Sequence, residues 1–366
     1  MRILFTCGGT AGHINPAVAL ARLFQQRHED CQVLFVGAEG GMETRLVPQE
    51  GYELKTVTIS SFYRSFSPAA IKHNIGTVLN LNRSKKQAKA ILDDFKPDLV
   101  VGTGGYASFP VVKAAAKRGI PTAVHEANAV PGLTTKSLSK VVDVVMVGFE
   151  DSRAHYDCPE KVVVTGTPVR GDFFRYTRQQ ARQQLGLADD KPLLLSFFGS
   201  LGAEVMNGYM SEFFTLEQQE GFPFRHIHGA GRNYEEMKAK CPESEWIDLR
   251  QYIYDMPLVC AAADLVICRA GASTLAELAA IAKPAILVPS PNVTADHQTK
   301  NARVLSDHGG AVLLPEGQCS GGELYAQASA ILKDEVRREE MIAALKKQSI
   351  SDSAEQIYQV LTGLLK

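Results

Sequence analysis

Residues 264–278, D-L-V-I-C-R-A-G-A-S-T-L-A-E-L, read as a buried strand, a turn of small residues and the opening of a helix. Leu265 to Cys268 is a short apolar run, and Gly271 lets the backbone turn with no Cβ in the way. A helix starting at Ala272 or Ser273 leaves unpaired N–H groups above the end of the strand, where they attract phosphate. Glu277 falls in the first turns, where a carboxylate can accept hydrogen bonds from the hydroxyls of a ribose. Two readings fit this segment. It is a nucleotide-sugar site, or it is an ordinary strand–helix unit whose Glu277 only complements the helix dipole.

Working outward, the same alternation of apolar run and helical segment fills the chain, the pattern of parallel α/β layers. Strand candidates run from 2–6 to 161–165 in the first half and from 193–198 to 311–314 in the second. Both halves begin alike, M-R-I-L-F-T-C-G-G-T-A-G-H and K-P-L-L-L-S-F-F-G-S-L-G-A, each a strand entering a glycine loop. The expected architecture is α/β, with two Rossmann-like doubly wound domains facing across a cleft and ligands at the carboxyl ends of the strands. The expected boundaries are 1–166 for an N-terminal domain and 173–345 for a C-terminal domain that carries the nucleotide-sugar reading of residues 264–278. Residues 346–366 are read as a C-terminal helix whose apolar face can pack on either domain, the N-terminal one among them.

Composition narrows the function. A chain of 366 residues suits two cores rather than one. The net charge of −1 lacks the basic field of a nucleic-acid binder, so no nucleic-acid partner is expected. Seven cysteines, an odd number with no C-x-x-C pair, fit packed, reduced thiols rather than a disulfide framework. The chain enters its first strand at once, with no signal-peptide pattern, and no apolar run approaches the ~20 residues of a membrane span.

Three glycine loops follow strands: 8–13 (G-G-T-A-G-H), 102–108 (G-T-G-G-Y-A-S) and 199–203 (G-S-L-G-A). None has the G-x-G-x-x-G spacing of a dinucleotide fold or the G-K-[ST] of a P-loop. One such turn is commonplace in α/β proteins, whereas three at strand ends favour a ligand cleft.

In order along the chain, G-G-T-A-G-H-I-N-P-A, G-T-G-G-Y-A-S-F-P, H-E-A-N-A-V-P-G-L, T-P-V-R, G-S-L-G-A, R-A-G-A-S-T-L-A-E and D-H-Q-T-K-N-A resemble the motifs of the MurG family. These are bacterial N-acetylglucosaminyltransferases that convert lipid I to lipid II in peptidoglycan synthesis, with consequences for cell shape and division. The resemblance runs from residue 8 to 302 and implies the GT-B fold. Two departures stand out: Phe198 and Leu201 replace a glycine and a glutamine of the third loop, and Thr167 stands where the family has asparagine.

The resemblance also implies roles. His13, Thr10, Gly12 and Tyr106 would lie on the acceptor side, with the acceptor's diphosphate near the first two glycine loops. Ser200, Ala272 and the amides of Gly202 and Ala203 would hold the donor's phosphates, which Arg170 would approach. Glu277 would take the ribose, and Tyr252 and Ile253 the uracil. Gln298, His297 and Asn128 would contact the N-acetylglucosamine. For the general base, His13 is the first choice, because an imidazole titrates near neutrality; the alternative is a histidine that only binds a phosphate or the backbone, and the rival is the pair His125–Glu126, with Glu126 acting as base or orienting a neighbour. No cofactor and no metal are expected, since the chain has no Asp-x-Asp. The implied partners are UDP-N-acetylglucosamine, lipid I, an anionic membrane surface and other cell-wall synthesis proteins. The implied location is peripheral, on the cytoplasmic face of the bacterial cell membrane. Residues 62–92 carry apolar side chains among cations (Phe62, Phe66, Ile71, Ile75, Val78 and Leu79 beside Arg64, Lys72, Arg83, Lys85, Lys86 and Lys89), suited to shallow insertion. Alternatives are a related transferase for another lipid-linked acceptor or a non-catalytic nucleotide-sugar-binding subunit.

Overall fold

The computed structural model describes residues 1–59, 68–199, 202–293, 296–350 and 352–365, with backbone alone for 68–79. It contains two compact units, residues 1–170 with 350–366, and residues 171–349.

In the N-terminal unit, strands alternate with helices: β1 (Arg2–Thr6), α1 (Ala11–Arg27), β2 (Gln32–Ala38), α2 (Glu43–Gln49), β3 (Glu53–Val57) and α3 (Pro68–Phe95). There follow β4 (Leu99–Gly102), α4 (Ser108–Ala116), β5 (Thr122–Glu126), α5 (Leu133–Leu138), β6 (Val144–Val147) and β7 (Val162–Val164). Every pairing is parallel and the order is β3-β2-β1-β4-β5-β6-β7. The strands are apolar on both faces because helices cover both. Ile3 and Phe5 face the core under α1, and Phe5 stacks on Phe35 at 5.6 Å. Leu4 joins the opposite core with Val100, Ile91 and Val111.

The C-terminal unit contains α6 (Arg178–Gln184), β8 (Leu193–Phe197), α7 (Glu204–Gln219), β9 (Arg225–Gly229), α8 (Tyr234–Lys240), β10 (Ile247–Arg250) and α9 (Met256–Ala262). It continues with β11 (Leu265–Cys268), α10 (Ala272–Ala280), β12 (Ala285–Leu287), α11 (His297–Ser306), β13 (Ala311–Leu313), α12 (Gly321–Lys333) and α13 (Glu335–Gln348). Its sheet runs β10-β9-β8-β11-β12-β13, again all parallel. Each predicted strand forms, with ends shifted by at most two residues.

The last helix, α14 (Ser353–Gly363), packs in the N-terminal unit. Ile357 and Leu361 are wholly buried in its core. Tyr358 lies 4.9 Å from the ring of Phe24, and its hydroxyl pairs with His28 Nε2 at 2.9 Å. Ser353 Oγ donates to the Thr167 carbonyl at 3.0 Å, which ties the helix to the residue that departs from the family motif.

A polar thread crosses the C-terminal core. His226 Nδ1 lies 2.9 Å from Glu217 Oε1, and Ser196 Oγ lies 2.6 Å from both His226 Nε2 and His228 Nδ1. With both rings neutral, one assignment satisfies all three contacts. His226 donates to Glu217 from Nδ1, Ser196 donates to His226 Nε2, and His228 donates to Ser196 from Nδ1. Burial, with His226 nearby, holds His228 well below the ordinary imidazole range. Phe198 is 3 % exposed and its ring sits 6.1 Å from that of His228, so this departure from the family glycine is absorbed by the core.

Candidate active site

Strand order decides where the glycine loops lie. In the N-terminal sheet β1 is flanked by β2 and β4, so the order in which strands are added reverses between β1 and β4, and loops leaving the two sides of such a switch point frame a crevice. The loops after β1 and β4 are the first and second glycine loops, and they touch. A Cβ built on Gly105 would fall 2.3 Å from the Gly8 carbonyl oxygen, and one on Gly104 would fall 2.5 Å from His13 Cδ2. Both glycines have positive φ, +84° and +113°. Contact and conformation alike therefore require glycine at these two positions.

His13 sits in the first turn of α1, half-buried, with three restraints. Its Nδ1 lies 2.8 Å from the Gly8 carbonyl, its own carbonyl accepts from Thr103 Oγ1 at 2.7 Å, and Gly104 lies against its ring. A carbonyl only accepts, so Nδ1 carries the proton and, in the neutral ring, Nε2 keeps its lone pair. That is the tautomer a base needs. Thr10 is the N-cap residue of α1, with its hydroxyl 3.4 Å from His13 Nδ1, and Gly12 lies in the same first turn. Tyr106, 52 % exposed, projects from the second loop.

Glu126 is arranged differently. It is 4 % exposed, and its Oε1 accepts from the backbone and side-chain amides of Asn128 at 3.1 and 2.9 Å. Its Oε2 accepts from Gly132 N at 3.0 Å. Both oxygens are engaged in shaping the 126–132 turn, the arrangement of a carboxylate that orients its neighbour Asn128. His125 is buried, its Nε2 bonded to the Gly166 carbonyl at 2.9 Å, and desolvation lowers its affinity for a proton. Arg170, half-buried, is the last residue of the unit's first segment.

The first loop also departs from expectation. Gly9 N donates to Glu43 Oε2 at 3.1 Å, so this amide is turned away from the role of anion donor. Glu43 carried no motif signal. It became visible only once β1 and β2 paired and brought residues 8 and 37 together around it.

In the C-terminal unit the switch point lies between β8 and β11, and the loops there are the third glycine loop and R-A-G-A. Ser200 and Leu201 lie outside the described residues. Gly202 has φ +74° and a Cβ there would meet the Ala230 carbonyl at 2.5 Å. Its amide donates to the Gly199 carbonyl at 3.1 Å, which closes the turn and removes it from the expected phosphate donors. Ala203 is the N-cap residue of α7.

Ala272 opens α10, with Gly271 before it at φ −69° and ψ 136°. Any residue adopts that conformation, so the sharp glycine turn expected there is not what Gly271 provides. Glu277, half-buried, follows on α10. Arg269 clamps this corner: its guanidinium donates to the carbonyls of Val288 and Pro289, both at 3.1 Å, and pairs with Glu316. Asn301 Nδ2, fully buried, donates to the Ala270 carbonyl at 3.3 Å. Sequence reading gave neither residue a role, because both act through loops distant in the chain.

Ile253 is 5 % exposed and would stand 3.2 Å from a Cβ on Gly229, so its side chain is committed to packing. Tyr252 and Tyr254 flank it, 46 % and 88 % exposed, with rings edge to face at 4.7 Å. With Gly231, Arg232 and Gln251 they line a surface pocket of about 440 Å³. His297 opens α11, and Gln298 Oε1 accepts from Ser290 N at 2.8 Å.

The two units match two family models, the glycosyltransferase family 28 N-terminal domain over residues 3–147 and the family 28 C-terminal domain over residues 193–357. The chain belongs to glycosyltransferase family 28, in its MurG branch. It is 40% identical to the UDP-N-acetylglucosamine–N-acetylmuramyl-(pentapeptide) pyrophosphoryl-undecaprenol N-acetylglucosamine transferase of Acetivibrio thermocellus, over 100% of this chain and 99% of that one. To the Bacillus subtilis protein of the same name it is 38% identical over the whole of both. Among solved structures, Acinetobacter baumannii MurG superposes with a TM-score of 0.78 at 28% identity, covering 99% of each chain. The fold is therefore GT-B, and the family's members are glycosyltransferases.

Proposed function

We propose that the protein is the inverting transferase that moves N-acetylglucosamine from UDP-N-acetylglucosamine to the C4 hydroxyl of the muramyl sugar of lipid I, giving lipid II. The observation that carries the chemistry is His13: its Nδ1–H is committed to the Gly8 carbonyl at 2.8 Å, leaving Nε2 as a proton acceptor between the first two glycine loops. The C4 oxygen attacks the anomeric carbon, its proton passes to Nε2, the bond from that carbon to UDP breaks, and the new link is β1→4. Such a base contributes ~10²–10⁴-fold.

The other assignments follow from chemistry at each position. Thr10, Gly12 and Tyr106 face the acceptor. Glu126 acts through the turn that orients Asn128 toward the transferred sugar, which His297 and the Gln298 amide also contact. Glu277 accepts from the ribose hydroxyls. Uracil meets the Ile253 backbone beside the Tyr252 ring. Arg170, Ser200 and the N-terminus of α10 at Ala272 offset the charge on the departing diphosphate.

Lipid I is anchored in a bilayer, so this reading places the protein peripherally on the cytoplasmic face of the cell membrane. No helix among the described residues is long and apolar enough to cross a membrane. Arg83, Lys85, Lys86 and Lys89 are exposed on α3, opposite the buried Ser84, Ala88, Ile91 and Leu92. That cationic face suits an anionic leaflet. Phe62, Arg64 and Phe66, and the side chains of Ile71, Lys72, Ile75, Val78 and Leu79, lie outside what the structure describes.

UDP release from UDP-N-acetylglucosamine, measured in EDTA with and without a short-chain lipid I analogue, tests the proposal. Release that depends on the acceptor and yields a disaccharide supports it. Donor binding without acceptor-dependent release refutes it in favour of another acceptor or a binding subunit.

A further inference from the structure

We propose that Glu43 is a positioning residue for His13, acting through the backbone of the first glycine loop. Its side chain is completely buried at the start of α2, an unusual place for a carboxylate with no cationic partner described. The backbone supplies its partners. Glu43 Oε1 accepts from Ala38 N at 2.7 Å, at the end of β2, and Oε2 accepts from Gly9 N at 3.1 Å, in the loop after β1. One carboxylate thus bridges the ends of two neighbouring strands.

The surrounding chain is cut to fit it. A Cβ on Gly8 would fall 2.4 Å from Glu43 Oε1, one on Gly37 would fall 2.3 Å from its Cγ, and one on Gly41 would fall 2.5 Å from its Cδ and both oxygens. Gly8 lies in the loop after β1, Gly37 near the end of β2 and Gly41 in the loop before α2, and none of them has the positive φ that would itself call for glycine. What they share is the space this side chain occupies.

The link to His13 is direct. Gly8, packed against Glu43, supplies the carbonyl that accepts from His13 Nδ1. Gly9, held by Glu43, follows it in the loop, and Gly105 also packs closely on Gly8. Gly8 is therefore packed against both Glu43 and Gly105, and the direction of its carbonyl sets which nitrogen of His13 carries the proton.

This assignment rests on His13 as the general base, and the experiment separates the two. In Glu43→Gln one oxygen becomes an NH₂ group facing a backbone N–H, so one of the two amides loses its acceptor. In Gly41→Ala the carboxylate keeps its charge and is displaced by the new methyl. Each variant is assayed for kcat and KM with lipid I analogue, for UDP affinity, and for the His13 tautomer by ¹⁵N NMR of histidine-labelled protein. We expect the Nδ1–H tautomer to give way to a mixture and kcat to fall by ~10–10²-fold, the penalty of a misplacement near 1 Å, with UDP affinity unchanged. A wild-type tautomer and kcat in either folded variant overturns the proposal. His13→Ala retaining full turnover would instead overturn the base assignment, leaving the tautomer readout to decide on Glu43 alone.

Discussion

The contact between the two glycine loops of the N-terminal unit can be tested by a matched pair of substitutions. Gly105 and Gly9 both have φ near +85°, at +84° and +85°. Alanine at either site incurs the same left-handed strain, about 1–2 kcal/mol. They differ in surroundings. A methyl at Gly9 meets nothing within 4 Å, whereas one at Gly105 lies 2.3 Å from the Gly8 oxygen and 2.8 Å from its carbon and nitrogen. Opening 2.3 Å to an ordinary 3.4 Å contact moves the loops apart by about 1 Å, since neither partner is a side chain that can rotate away. Overpacking of this kind adds about 1–3 kcal/mol. Gly105→Ala is therefore expected to lose about 2–5 kcal/mol in urea unfolding and Gly9→Ala about 1–2. The kinetic contrast is larger. Because the Gly8 carbonyl holds His13, Gly105→Ala should lower kcat by ~10²-fold with UDP affinity intact. Gly9→Ala should keep kcat near the parent value, with any effect of its exposed methyl on the acceptor appearing in KM. Equal loss of kcat in both variants would show that strain, not the loop contact, matters. Full activity in Gly105→Ala would refute the argument outright.

Further outcomes follow from the buried groups and the donor side. His125 and His228 are held below the ordinary imidazole value of 6.5 by burial, so the unfolded chain binds more protons as pH falls through that value. Stability is then complete above about pH 6.5 and lost below it, by at most about 1.4 kcal/mol per pH unit for each ring. Urea midpoints that stay level from pH 7.5 to 5.5 would contradict this. Of the seven cysteines, Cys7, Cys31, Cys260, Cys268 and Cys319 are buried, and burial pushes the Cys241 thiol up to about 11. A thiol reagent should modify no more than Cys158 and Cys241 in the native protein, and all seven in guanidinium; rapid native reaction of a third would count against the packing described. Glu277→Gln removes a charged acceptor from the proposed ribose site and should weaken UDP binding by ~10–100-fold, read by calorimetry. An unchanged affinity would return Glu277 to a helix-dipole role.

Much of this protein was legible as a one-dimensional pattern. Apolar runs of strand length, separated by helical segments, announced parallel α/β layers, because burial on both faces of a strand demands such runs wherever the strand ends up. The glycine loops were legible for the same local reason, and the chemistry of residues beside them, together with family motifs, pointed to His13, Glu126 and Glu277. Strand order decided the rest. Pairing β1 with both β2 and β4 brought Gly8 against Gly105 and His13 against Gly104, contacts across more than ninety residues that no local signal encodes. The same folding filled both oxygens of Glu126 with backbone and Asn128 donors, turned the amides of Gly9 and Gly202 away from ligand, and buried Glu43 among three glycines. A residue's type is written in the chain, but which of its lone pairs remains open depends on neighbours that only the folded structure supplies.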